Sequence, residues 1–419
     1  MEVDFDTGNT AWLLISTALV LFMTPGLALF YGGMVRGKNV LGMLMQNLFA
    51  MGLLAVLWVA LVFSLAFGGI GNEGIIGNFD FVWLKDVGPN FLPEGFGPDG
   101  FLPLTIPFIL FCGFQMTFAI ITPALITGAT ADRLKFTAYM VFLGAWLVLV
   151  YGPLAHMVFG GGWLASQGAL DFAGGAVVHM NAGAAALAMV LLLGRRKGWP
   201  DTPMPPHNLP MTVLGTGILW FGWAGFNAGS ALAADGVAAQ AIVNTFLAAS
   251  AAMLGWLVVE RIKDGHATTL GAASGAVAGL VAITPCAGFV GGMAPVYIGL
   301  FTGAVCYLAL GLKKAFGFDD SLDVIAVHLV GGLVGSVLLG FFADSTINPL
   351  VANEGVFLGG GADLLLDQLL ASVVTLAFSF VASLVIGKVI DVTIGLRVSE
   401  EDEDLGLDLS QHAEVAYAD

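Results

Sequence analysis

Apolar residues in this chain come in long runs of about span length, separated by short polar segments. Such runs lie near 11–32, 40–68, 103–128, 138–157, 172–193, 210–230, 238–258, 269–285, 295–312, 323–343 and 363–389. A helix of roughly 20 apolar residues crosses the hydrocarbon core of a bilayer. The pattern therefore predicts an all-α membrane protein with eleven transmembrane helices. The eighth and ninth runs are the shortest on this reading and are rich in glycine.

The polar segments give the prediction an orientation. With the N-terminus outside, Arg36/Lys38, Arg133/Lys135, Arg195/Arg196/Lys197, Arg261/Lys263 and Lys313/Lys314 all fall in cytoplasmic loops, and Lys388 and Arg397 flank a cytoplasmic C-terminus. Of the 14 basic residues only Lys85 lies outside. This is the asymmetry that the positive-inside rule requires. The opening MEVDFDTG is acidic and the run behind it is span-length, so no cleavable signal is expected.

Composition agrees. The 419 residues are 58% hydrophobic and only 11% charged, against about 25% charged in soluble domains. The net charge of −16 is concentrated late in the chain, where Glu400, Glu401, Asp402, Glu403, Asp404, Asp408, Glu414 and Asp419 occur without a lysine or arginine. The run Glu400–Asp404 reads as a solvated stretch. The division is a membrane domain over 1–389 and a cytoplasmic acidic tail over 390–419. Nucleic-acid binding has no support. Cys112, Cys286 and Cys306 are scattered in apolar segments and form neither a disulfide framework nor a zinc motif. Gly271, Gly275 and Gly279 form a small-residue packing stripe, not a nucleotide loop.

A repeat lies inside the pattern. Asp171, His179 and Gly183 open the fifth span, and Asp320, His328 and Gly332 open the tenth at the same spacing. By the topology above, one aspartate sits at the outer face and the other at the inner face. That predicts an inverted repeat of helices 1–5 and 6–10, with a substrate path near the midplane. Intramembrane ionisable residues are costly and are functional by default. The two histidines are thus expected to meet, sharing one proton and offering one donor and one acceptor along a path. Asp171 reads as the cap of a helix beginning at Phe172, with a substrate-binding carboxylate as the alternative. Phe114 and Phe118 share a face of the third span, and the sixth carries Trp220, Trp223 and Phe226 at three-residue steps, then Asn227 and Ser230. Aromatic faces attract cations, and a hydroxyl can accept a hydrogen bond from one.

These residues lie in motifs that resemble the ammonium transporter family (Amt/Mep/Rh), in its prokaryotic Amt-type form. The motifs are PGLALFYGGMVR at 25–36, FQMTFA at 114–119, ADRLKF at 131–136, HMVFGGGWLASQGALDFAGGAVVHMNAG at 156–183, PHNLP at 206–210, GWAGFNAGSA at 222–231, SGAVAGLVAITP at 274–285, and GLRV with the tail GLDLSQHAEVAY. The resemblance implies a homotrimer in the cell membrane, each subunit with its own narrow hydrophobic pore. It implies recruitment of ammonium at an outer vestibule by Ser230 with Phe118, Phe159 and Trp223. It further implies a phenylalanine gate of Phe118 and Phe226, twin pore histidines His179 and His328, and a structural aspartate, Asp171. It implies no cofactor, and a PII-type regulatory protein as a cytoplasmic partner of the tail. One position departs from the pattern: many members have tryptophan in the vestibule segment where this chain has Phe159, a weaker cation–π face without an indole N–H.

A long apolar pore rejects potassium, which must keep its charge, whereas ammonium can surrender a proton and cross as ammonia. Whether the proton follows separately decides between electrogenic uptake and a gas channel, and the sequence leaves both open. Two other readings compete. The histidines could be axial ligands of a b-type haem, or the chain could be a binding-only ammonium sensor, although it carries no appended output domain.

Overall fold

The structure is a computed structural model and describes residues 4–417, so Asp419 of the acidic tail lies outside the described residues. Among the described residues it is helical throughout, with no strand beyond a single bridge between Leu134 and Arg397. Ten helices are long and apolar enough to cross a membrane: α1 Thr7–Met34, α2 Gly37–Phe67, α3 Phe108–Thr130, α4 Phe136–Ser166, α5 Gly175–Leu193, α6 Leu209–Ala228, α7 Gly236–Asp264, α9 Ala294–Phe316, α10 Ile325–Phe342 and α11 Asp363–Thr393. Between α7 and α9 lies a shorter apolar helix, α8 Thr269–Ile283.

The two runs expected to be short behave differently. The ninth becomes a 23-residue helix. The eighth gives only 15 helical residues, about 22 Å of rise against a hydrocarbon core of about 30 Å. Beyond Ile283 the chain continues as irregular backbone, buried from Thr284 to Val290. Non-helical backbone at depth needs internal partners, and it has them. Asn244 on α7 donates to the carbonyls of Ala287 and Val290, and the Phe172 N–H donates to Pro285 O.

Other boundaries follow local chemistry. Helix α3 begins at Phe108 rather than 103, because Pro103 and Pro107 precede it and Pro107 is its cap. Asp6, Asp235 and Thr268 cap α1, α7 and α8 through their side chains. Outward-facing positions stay apolar, as in Leu14 and Phe22 of α1 and Val373, Val381 and Val385 of α11. Helix α8 packs on α7 through the predicted glycine stripe: a methyl group on Gly275 would meet Trp256 Cβ at 2.7 Å, and one on Gly279 would meet Ala252 Cβ at 2.6 Å.

The basic loops converge at one end of the bundle. Arg196 bridges Asp319 at 2.8 Å and Asp132 at 3.4 Å, and Arg36 bonds Asp132 at 3.0 Å. Arg133, fully buried, donates to Gly194 O and Ser321 Oγ at 2.9 and 2.8 Å. The acidic tail does not float free. Ser399 caps a short helix, α12 Glu400–Leu405, followed by α13 Leu407–His412. Glu403 is buried, bonded to Arg397 at 2.6 Å and to the Lys197 N–H at 2.7 Å, while Asp404 pairs with Lys197. The solvated reading of 400–404 is corrected at Glu403, which docks against Arg397 and the Lys197 N–H, while Glu400, Glu401 and Asp404 stay exposed.

Candidate functional site

Helix α5 does not begin at Phe172, as the sequence suggested. Residues 172–174 form a turn, with Gly174 at φ 119°, and the helix starts at Gly175. That turn folds the chain back over Asp171, whose two carboxylate oxygens accept four backbone N–H groups: Gly174 at 2.8 Å, Gly175 at 2.7 Å, Ala176 at 2.9 Å and Val177 at 3.2 Å. All four orphan donors of a helix start thus meet one side chain. Asp171 also lines the larger cavity described below.

Helices α5 and α10 each open with a π-helical stretch, Gly175–Met180 and Ile325–Val330, and each histidine sits inside one. Wide turns of this kind are rare and concentrate at functional sites. His179 and His328 meet Nδ1 to Nδ1 at 3.2 Å, with ring planes 23° apart. One hydrogen fits between the two nitrogens, so one ring donates and the other accepts. The outer nitrogens of the pair then present one acceptor and one donor. His179 Nε2 is buried and has no protein partner. Gly332 lies close against the start of α5 here. A methyl group on Gly332 would stand 3.0 Å from Gly175 O and 3.1 Å from His179 Cβ.

Above the pair the path is aromatic. The Phe118 and Phe226 rings lie 4.2 Å apart, and Phe226 is 6.2 Å from His179. Phe226 belongs to a third π-helical stretch, Ala224–Ala228. On the side of Phe118 away from the histidines opens a cavity of about 410 Å³ lined by Phe118, Phe159, Asp171 and Ser230, and by Gln115, which the sequence reading missed. Ser230 donates to Phe226 O at 2.9 Å, which leaves its oxygen lone pairs for a donor in the cavity. Below the gate, Phe226, Trp223, His179 and His328 line a cavity of about 10 Å³, with apolar Leu27, Leu125 and Val277 around them. That is room for about one water-sized molecule.

Trp223 is the misplaced member. It stacks on His179 at 5.5 Å and donates to Thr284 Oγ1 at 2.9 Å, so it belongs to the lower cavity and not to the vestibule. Seven residues of helix separate it from Ser230, about 10 Å along the axis. Facing alone could not give depth. Trp163 packs against Leu154, Met157 and Leu164, away from the cavity that Phe159 lines. The haem reading fails on geometry. The two imidazoles bond each other directly, and the space beside them takes one small molecule, not a macrocycle.

The family model of the Ammonium Transporter Family matches residues 11–417. The chain belongs to the ammonium transporter family. It is 51% identical to the ammonium transporter of Mycobacterium tuberculosis over 433 residues, covering 98% of this chain and 90% of that one. Its fold superposes on the crystal structure of Candida albicans Mep2 with a TM-score of 0.87 at 37% identity, over 99% of this chain and 91% of that chain. A solved structure described as a sensor Amt protein matches with a TM-score of 0.87 at 29% identity, over 97% and 98% of the two chains. The family is one of transporters, not enzymes, and this member is a multi-pass membrane protein.

Proposed function

We propose that this family member takes up ammonium by recruiting the cation in the outer cavity, removing its proton at or below the phenylalanine gate, and conducting ammonia past the twin histidines. Ser230 supplies lone pairs to the cation, and Phe118 and Phe159 supply ring faces. Phe118 and Phe226 close the path to hydrated ions. Below them a charged species would lie in apolar surroundings without its water, which is costly. Ammonia pays no such cost, and the donor and acceptor of the histidine pair give it one polar step. The observation that carries the reading is the continuous order vestibule, Phe118, Phe226, His179, His328, with the two imidazoles in contact.

The proton travels separately on this reading, so uptake is electrogenic. The test is the current across proteoliposomes on an ammonium pulse, for wild type and for His179→Ala. Wild type gives a current and His179→Ala loses it. Ammonia flux without charge movement in active protein overturns the electrogenic step.

The same reading assigns the chain eleven spans, with the N-terminus outside, the C-terminus cytoplasmic and helices 1–5 inverted on 6–10. Support comes from α8 with its buried continuation as the eleventh crossing, and from the basic loops gathered at one end with the tail. It also comes from the matched Asp–His–Gly units, since Asp320 Oδ2 accepts the Ile325 N–H at 2.7 Å at the start of α10 as Asp171 does for α5. The two-part division, 1–389 and 390–419 from the sequence, is kept on this reading with its boundary moved to Thr393, where α11 ends. Assembly as a homotrimer and binding of a PII-type protein at the docked tail follow from the family resemblance. Deleting residues 395–419 should alter transport or its control, and unchanged behaviour would sink the regulatory assignment.

A further inference from the structure

Helix α11 lies outside both repeat units and turns much of its surface outward. Near its start it nevertheless buries a glutamine, Gln368, to 1% exposure. A primary amide held away from water costs free energy unless all its groups are paired. Here every one is. Gln368 Oε1 accepts the Leu170 N–H at 2.7 Å, and Nε2 donates to Leu170 O at 2.9 Å and to Ser336 O at 3.3 Å. Oxygen facing an N–H and nitrogen facing two carbonyls fix the amide in one orientation. Both backbone groups of Leu170 are gripped, as a neighbouring strand would grip them, and α10 is tied in through Ser336.

Leu170 precedes Asp171, whose carboxylate holds the first four N–H groups of the α5 start. Behind Asp171, Gln368, Ser336 and Ser372 line an enclosed cavity of about 10 Å³ with Ala176 and Met180. Asp171 lines both that chamber and the outer vestibule. It therefore forms the wall between them, and the Leu170 clamp sets how deep that wall stands.

We infer that Gln368 is a positioning residue for transport: through Leu170 it fixes Asp171, and through Asp171 the α5 turn that carries His179. This rests on the ammonium-uptake reading above. No neighbouring group supplies both halves of the clamp. The Ser372 hydroxyl already donates to Gln368 O at 2.7 Å, and the carboxylates of Asp363 and Asp367 on the same turns can accept a hydrogen bond but not donate one to Leu170 O.

The test uses the full-length protein with Gln368→Met, which keeps length and bulk but pairs with neither backbone group, and Gln368→Glu, which keeps the acceptor for the Leu170 N–H and cannot donate. Two measurements are made on purified protein and proteoliposomes. The first is amide hydrogen exchange over 170–177, expected to quicken in both variants while α7–α9 exchange as in wild type. The second is half-saturating ammonium together with ammonium-over-potassium discrimination. Loss of the two Leu170 bonds predicts a change of about tenfold in either quantity for Gln368→Met. A residue with only a structural role would lower protein yield and maximal current together and leave those two quantities alone, which overturns the proposal. Wild-type exchange rates over 170–177 in a folded variant overturn it as well. If wild type carries no ammonium, the uptake reading fails, while the exchange measurement still decides whether Gln368 positions Asp171.

Discussion

Gly183 of α5 rests directly on Leu329 of α10, so that a methyl group on Gly183 would stand 2.5 Å from the Leu329 N atom. Leu329 is the residue after His328, and backbone cannot yield as a side-chain tip can. Gly183→Ala therefore pushes the two helices apart where the imidazoles meet. Overpacking of this kind costs about 1–3 kcal/mol. The expected result is a lower unfolding midpoint together with loss of ammonium current. A variant with parental current would show that the helices can part without cost to the pair.

Phe159 stands where many family members have tryptophan, and it lines the vestibule. Indole is the better face for a cation, in a contact worth about 0.5–1 kcal/mol in all at a partly exposed site. Phe159→Trp should lower the half-saturating ammonium concentration by up to about fivefold with maximal rate unchanged. No shift in half-saturation would remove Phe159 from the recruitment site.

Asp171 accepts four backbone N–H groups, where an ordinary N-cap accepts one or two. Asp171→Ala should cost about 3 kcal/mol or more, since each buried donor left unpaired carries its own penalty. Asp171→Asn retains one oxygen and should fall between. Thermal unfolding of the three proteins gives the order directly. Equal losses for Ala and Asn would mean that the negative charge, not the bonding, holds the turn.

Asp319 lies outside the spans, in the ion-pair network with Arg196. Burial works to raise its carboxyl pKa, and the Arg196 guanidinium outweighs that, holding it below the ordinary 3.8. A depressed folded value contributes stability that is fully present above 3.8 and lost as pH falls through the folded value. Asp319→Asn should therefore be less stable than wild type by about 3 kcal/mol near neutral pH. The difference should vanish only under acid below 3.8. Unfolding midpoints at pH 6 and in strong acid check this, and a difference that persists in acid would mean the asparagine is disruptive for another reason.

The apolar runs that marked the spans were legible because hydrocarbon thickness imposes a length that no other fold element shares. The twin histidines were legible because two polar residues at matched spacing stand out against apolar neighbours. What could not be read was depth and irregularity. Trp223 shares a face with Ser230, and only axial rise separates the lower cavity from the upper. The seven buried residues after α8 look like helix in composition, since what keeps them non-helical at low cost is a distant side chain, Asn244. The turn at 172–174 was hidden because Asp171 reaches past the positions an N-cap normally serves. The run Glu400–Asp404 looked solvated because its partners, Arg397 aside, lie some 200 residues or more earlier.

That distance has a consequence for assembly. Lys38 donates to the carbonyl of Glu403 at 2.9 Å, the Gly42 N–H to Asp408 at 2.7 Å, and His207 bonds the Tyr417 hydroxyl at 2.8 Å. None of these bonds can form until residues 403–417 have left the ribosome, after helices α1 to α11 have been made. Lys38 and Lys197 thus lack these partners until then, whereas Arg36 and Arg196 can already pair with Asp132. Residues 403–417 act as a latch, closing on helices made before them.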